Sequence, residues 1–100
     1  MTLESKISED RTKLIIKVNG DFNSSVNNEF YTLLDGNYVD EYQIDLENAE
    51  HIDSSALGLL LVLRERANSS SSIISIVNAN KRLKRILSMA KFDHLFSILE

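Results

Sequence analysis

The stretch from Ile44 to Ala67, IDLENAEHIDSSALGLLLVLRERA, constrains the fold more than any other part of the chain. It reads as a buried strand, a short polar connection, and an Asp-Ser-Ser turn at the start of an apolar helix spanning Leu57 to Ala67. With side chains turning by about 100° per residue, Ala56, Leu59, Leu60, Leu63 and Ala67 fall on one arc, which is the expected core face. Leu57, Leu61 and Val62 lie outside it. Small domains spend apolar residues on their cores, so the expectation is that these three pack on a neighbouring helix. The alternative is an exposed apolar collar behind Ser54 that a partner covers. Gly58 suits either reading, since a missing side chain permits close approach by a neighbour or by a partner.

The flanking segments supply the rest of a sheet. Leu3, Ser5 and Ile7 alternate with polar residues and predict a weak edge strand, followed by a turn at Glu9-Asp10-Arg11. Thr12 to Val18 is a stronger strand, with Leu14, Ile16 and Val18 on one face and Lys13 and Lys17 on the other. Ile15 predicts that the second face is partly covered. Gly20 ends this strand, and Asp21-Phe22-Asn23-Ser24 reads as a loop with helix-capping residues. Val26, Phe30, Leu33 and Leu34 then predict an amphipathic helix from about Ser24 to Asp35, stopped by Gly36-Asn37.

Tyr42, Ile44 and Leu46 form the third strand. After the second helix, Asn68 and Ser69 to Ser72 predict a flexible connection to Ile73-Ile74-Ser75-Ile76-Val77, a β-branched segment suited to a strand covered on both sides. Asn78-Ala79-Asn80 leads into a third helix with Leu83, Ile86, Leu87 and Ala90 on one face. Phe96, Ile98 and Leu99 predict a short closing strand. The order β-β-α-β-α-β-α-β gives an α/β fold, a mixed sheet with helices packed on it, in one domain over residues 1–100.

Composition narrows the function. The chain is 43% apolar and 26% charged, as ordinary soluble globular proteins are. A formal charge of -4 disfavours nonspecific association with nucleic acid or anionic membrane. Without cysteine there is no disulfide, thiolate chemistry or thiolate metal site. Residues 1–10 carry no secretory pattern, and the apolar run Leu59 to Leu63 is far shorter than the ~20 residues of a membrane span. A soluble cytoplasmic protein without membrane insertion is the expectation.

At Asp53-Ser54-Ser55 the physics favours a helix cap, worth typically ~1 kcal/mol. Three cap-competent residues nevertheless stand where one suffices, leaving a hydroxyl to spare. A phosphate there would bring about -1.5 to -2 charges to a helix start that tolerates anions, with Asp53 opposing it. A hydrolytic triad of Ser54, His51 and Asp53 is disfavoured, because adjacency in sequence is not triad geometry and there is no G-x-S-x-G elbow. His51 and His94 alone make a poor metal set, and isolated glycines make no phosphate loop. Lys81, Arg82, Lys84 and Arg85 form the basic cluster, expected to be a solvated helix face.

The segment HIDSSALGLLLVL resembles the signature of STAS domains, in particular the bacterial anti-sigma-factor antagonist branch. Gly20-Asp21-Phe22-Asn23 and the run from Lys81-Arg82-Leu83 to Phe96 are similar to other parts of that family. The resemblance implies four to five strands in a mixed sheet, with three or more helices mainly on one side. It further implies a non-enzymatic, cofactor-free antagonist that acts by partner switching. Ser54 would be phosphorylated by a GHKL-type serine kinase, often itself the anti-sigma factor, and dephosphorylated by a PP2C-type phosphatase. Ser55 and Asp53 would be accessory. The partner-binding set would be Asp21, Asn23, Asp53, Ser54, Ser55, Leu57, Gly58 and Leu61, in a monomer or weak dimer. Asn23 and Ala56 stand where the family often has Asp and Gly. A constitutive scaffold, for example a cytosolic subunit of a membrane transport complex, is the alternative.

Overall fold

Three parallel crossovers build the main sheet, and together they decide where the helices go. The structure, a computed structural model, describes residues 3–36, 39–69 and 71–99. Strands β1 (Leu3–Ile7) and β2 (Lys13–Val18) form an antiparallel hairpin. Helix α1 (Asn27–Gly36) then leads to β4 (Glu41–Asp45), α2 (Ser54–Ser69) to β6 (Ile73–Val77), and α3 (Lys81–Met89) to β7 (Ser97–Leu99). The five strands lie in the order β1-β2-β4-β6-β7, with every pair after the hairpin parallel. Right-handed crossovers that always step the same way along a sheet place their helices on the same face.

The register shows that face directly. Leu14, Tyr42 and Ile74 form one cross-strand row and Ile16, Ile44, Ile76 and Ile98 the next. The first three residues of the second row are fully buried. The alternate positions Lys13, Ile15 and Lys17 of β2, and Glu41, Gln43 and Asp45 of β4, are only half-buried. Under the helices the core is completed by Phe30, Leu60, Leu63, Leu83 and Leu87. The turn between β1 and β2 is held by Asp10, whose Oδ1 accepts from Ser8 Oγ and from the N–H and Oγ1 of Thr12. These bonds, led by that from Ser8, hold its carboxyl at about 2.

Two expected loops are strands instead. Gly20–Phe22 (β3) and Ala49–Ile52 (β5) pair in parallel as a separate ladder. So Gly20 does not end the β structure, and the polar connection after Ile44 contains a strand. Gly20 makes the bend possible: its φ of +77° is a conformation that L side chains rarely adopt. Phe22 anchors the ladder by stacking on Phe30 of α1, with ring centroids 5.5 Å apart.

The first helical turn of the expected Ser24–Asp35 helix is a separate 3-10 turn, Ser24–Val26. Of the expected stop, Gly36 is the last residue of α1 and Asn37 lies outside the described residues. The serine run is not uniformly a flexible connection. Ser69 ends α2, Ser71 takes a positive φ, and Ser72 is buried with its hydroxyl donating to the carbonyl of Val39. A buried hydroxyl needs such a partner, which fixes this end of the connection.

Candidate functional site

The β3–β5 ladder forms between the two segments that leave the main sheet after β2 and β4, and it carries both to the same edge. Phe22 is in register with Ile52, so Asn23 and Asp53 follow at the same end of the ladder. The last main-chain link is Asp53 N–H donating to Phe22 C=O at 3.3 Å. Each strand then opens directly into a helical turn, and each turn is capped. Asn23 Oδ1 accepts from Ser25 N at 2.9 Å. Asp53 Oδ1 accepts from Ala56 N at 3.0 Å, and its carbonyl accepts from Leu57 N at 3.1 Å.

This settles which of the three cap-competent residues does the capping. Asp53 is the N-cap, and Ser54 and Ser55 are the first two residues of α2, both exposed. Among the described residues neither serine hydroxyl has a hydrogen-bond partner. No hydrogen bond joins Ser54 to a histidine there either, so the elements of a triad are present in sequence without being assembled.

The exposed side of α2 continues from these serines. Ser54, Gly58 and Leu61 stand at i, i+4 and i+7, on one helix face. Leu61 and Val62 are 44% and 40% exposed and Gly58 is exposed, while Leu57 is half-buried against the core. The expectation that Leu61 and Val62 pack on a neighbouring helix is therefore wrong. Helix α2 buries Ala56, Leu59, Leu60, Leu63 and Ala67, and leaves Leu61 and Val62 exposed on its far side. Nor does Gly58 make room for a neighbour, since a Cβ there would meet nothing within 4 Å.

Asp21 and His51 are register partners across the ladder and, with Glu50, bring their donor atoms within 4.8 Å of one another. Sequence reasoning missed this trio because the strands carrying it were not recognised. All three are exposed, and exposed acidic groups commonly gather without an ion. Helix α3 closes the side of the site: Arg82 donates to the carbonyl of Glu50 in β5. The basic cluster is thus not entirely a solvated face. Lys81 and Arg85 are exposed, but Arg82 ties the start of α3, capped by Asn80, to the ladder.

The geometry defines a class: a small mixed α/β domain whose strand-ladder end presents a serine-bearing, aspartate-capped helix start. Residues 5–100 match the family model described as "Mlab, STAS domain", and the chain belongs to the STAS domain family. A STAS-domain containing protein of Pseudomonas aeruginosa is 33% identical over 100 residues, covering 98% of this chain and 99% of that protein. Among solved structures, the anti-sigma factor antagonist SpoIIAA in its unphosphorylated form superposes with a TM-score of 0.79, at 13% identity over 96% of this chain and 86% of that one. The phosphorylated form of SpoIIAA, from Bacillus, gives 0.70 at 14% identity over 96% and 89%. A sulfate transporter family protein from Wolinella succinogenes gives 0.80, at 17% identity over 94% and 80%. The three structural likenesses are likenesses of fold. Among the described residues no helix is long and apolar enough to cross a membrane.

Proposed function

We propose that this STAS domain is a non-enzymatic partner-switching antagonist whose binding is set by phosphorylation of Ser54. In this reading the unphosphorylated domain occupies a GHKL-type serine kinase or anti-sigma factor in the cytoplasm, and phosphorylation releases it. A PP2C-type phosphatase restores the binding form. The observation that carries the reading is the uncommitted Ser54 hydroxyl at the start of a helix that Asp53 already caps. A phosphate added there meets the positive end of the α2 dipole, which favours it, and the Asp53 carboxylate, which opposes it. The two effects offset within the domain. On a partner's surface the added charge has no such offset.

The face around Ser54 supports docking. Glycine in a helix interior destabilises by about 0.5–1 kcal/mol relative to alanine, and Gly58 receives no packing within the domain in return. Beside the exposed Leu61 it offers a flat, partly apolar strip that begins at the modified residue. Gly58→Ala is expected to raise thermal stability while weakening the captured partner's binding, readable from a melting curve and a binding isotherm on the same sample. A variant that binds as well as wild type would show that this strip faces no partner.

The second reading, a constitutive scaffold that contacts a permanent partner through an unmodified Ser54, has in its favour the fold shared with the sulfate transporter family protein. Phosphate-affinity electrophoresis of the protein taken from its own cells separates the two. A retarded band that disappears in Ser54→Ala is the expected result. Its absence under every growth condition in which the protein is made would favour the scaffold.

A further inference from the structure

The outer edge of β1 is where the domain has unfinished business with another strand. β1 is the end of the five-stranded sheet and pairs only with β2, so its other edge carries main-chain groups unpaired by any described strand. A free edge of this kind is a template for a further strand, and proteins commonly guard it with charge. Here the guard is two residues of opposite sign, Glu4 and Lys6, placed symmetrically about Ser5.

We infer that β1 is a self-complementary edge, and that two copies of this chain pair through it antiparallel about a two-fold axis at Ser5. That register sets Ser5 opposite Ser5 of the second copy, Glu4 opposite its Lys6, and Leu3 opposite its Ile7. Directly opposed side chains in an antiparallel pair have Cβ atoms about 4.5–5.5 Å apart, close enough for both ion pairs to form. Parallel pairing, or a slip by one residue, loses this matching of signs.

Three observations favour a second copy over an unrelated strand. Within its own chain Glu4 lies across from Lys17, while Lys6 lies across from Ile15, so Lys6 has no opposite charge facing it in β2. The partner's Glu4 supplies one. Glu4 itself accepts from Asn19 Nδ2 at 3.0 Å, through Oε2, which leaves Oε1 for the incoming lysine. On the helix-facing side Ser5 is exposed and borders an open groove of about 340 Å³ between β1 and α1. Leu3, Ser5, Thr32 and Leu33 are among its lining residues. A two-fold axis perpendicular to the sheet brings the same groove of the second copy alongside, giving the two helix layers room to meet. β1 contributes nothing to the Ser54 site, so both copies would keep that site open.

Sedimentation equilibrium with charge variants tests the pairing. Wild type is expected to show a concentration-dependent dimer. Glu4→Lys alone and Lys6→Glu alone each turn both symmetric pairs into like-charge contacts, and should weaken the dimer by about tenfold or more. Mixing the two single variants restores opposite charges across the axis, so a heterodimer is expected from chains that do not pair with themselves. The double variant Glu4→Lys/Lys6→Glu should dimerise as wild type does. Because the chain has no cysteine, Ser5→Cys gives an independent readout, a covalent dimer under mild oxidation. A wild-type protein that stays monomeric up to its solubility limit would overturn the inference. So would a dimer indifferent to all four charge arrangements.

Discussion

Leu60→Ala is expected to lower the melting temperature by roughly 10–30 °C. Leu60 is fully buried on the arc where α2 lies against the sheet. Removing a buried leucine side chain leaves a cavity as well as losing transfer energy, and costs about 2–5 kcal/mol. A domain of this size holds about 5–15 kcal/mol in all, so the variant would sit near the limit of folding at physiological temperature. The neighbouring residue makes the comparison informative. Leu61 is 44% exposed, and Leu61→Ala should change stability by no more than about 0.5 kcal/mol. If Leu61 belongs to the docking strip, the same truncation should instead weaken partner binding by about tenfold, within the range of residues that matter at an interface. Melting curves and binding isotherms on the pair would therefore separate the packing face of one helix from its docking face. Equal loss of stability in both variants would place Leu61 in the core and remove the strip.

That separation of faces was half legible in the sequence. The core arc of α2 could be read residue for residue, because a helix repeats at a fixed angle and its buried positions must share a direction. What periodicity does not reveal is whether an apolar residue off the arc meets a neighbour, since that depends on where the next helix stands. For that reason the sequence alone predicts cover for Leu61 and Val62, and both are exposed. The β3–β5 ladder was hidden for a different reason. Gly20–Phe22 and Ala49–Ile52 are too short to alternate convincingly, and each is a strand only because the other is beside it. The isolated Phe22 among polar neighbours was the available signal, since a buried aromatic in a supposed loop needs something to bury it.

The site inherits both lessons. Asp53, Ser54 and Ser55 are all good caps, so composition left the choice open. It is fixed where the ladder ends: the hydrogen bond from Asp53 N–H to Phe22 C=O terminates β5 and makes Asp53 the residue whose side chain reaches back to Ala56 N. Ser54 is freed from capping by a strand pair that sequence reasoning did not find. The gathering of Asp21, Glu50 and His51 and the tie from Arg82 to β5 depend on the same ladder. Membership of the STAS family was legible from the HIDSSALGLLLVL segment and rests now on a match over residues 5–100.

The central claim is that one charge at Ser54 changes what the domain binds without changing its fold. Within the domain the phosphate is drawn to the helix start and repelled by Asp53, each by an amount on the order of 1 kcal/mol at an exposed position, so its net effect on the melting temperature should be a few degrees at most. At an interface the same dianion is stripped of water and placed against groups arranged to meet a neutral hydroxyl, which costs several kcal/mol. A 100-fold loss of affinity requires only about 2.8 kcal/mol. The deciding measurement is the dissociation constant of the partner captured by Ser54→Ala, taken by calorimetry for the unmodified and the Ser54-phosphorylated domain side by side. The account predicts at least about a 100-fold weaker complex on phosphorylation, with both forms equally folded. Equal affinity of two folded forms would contradict it.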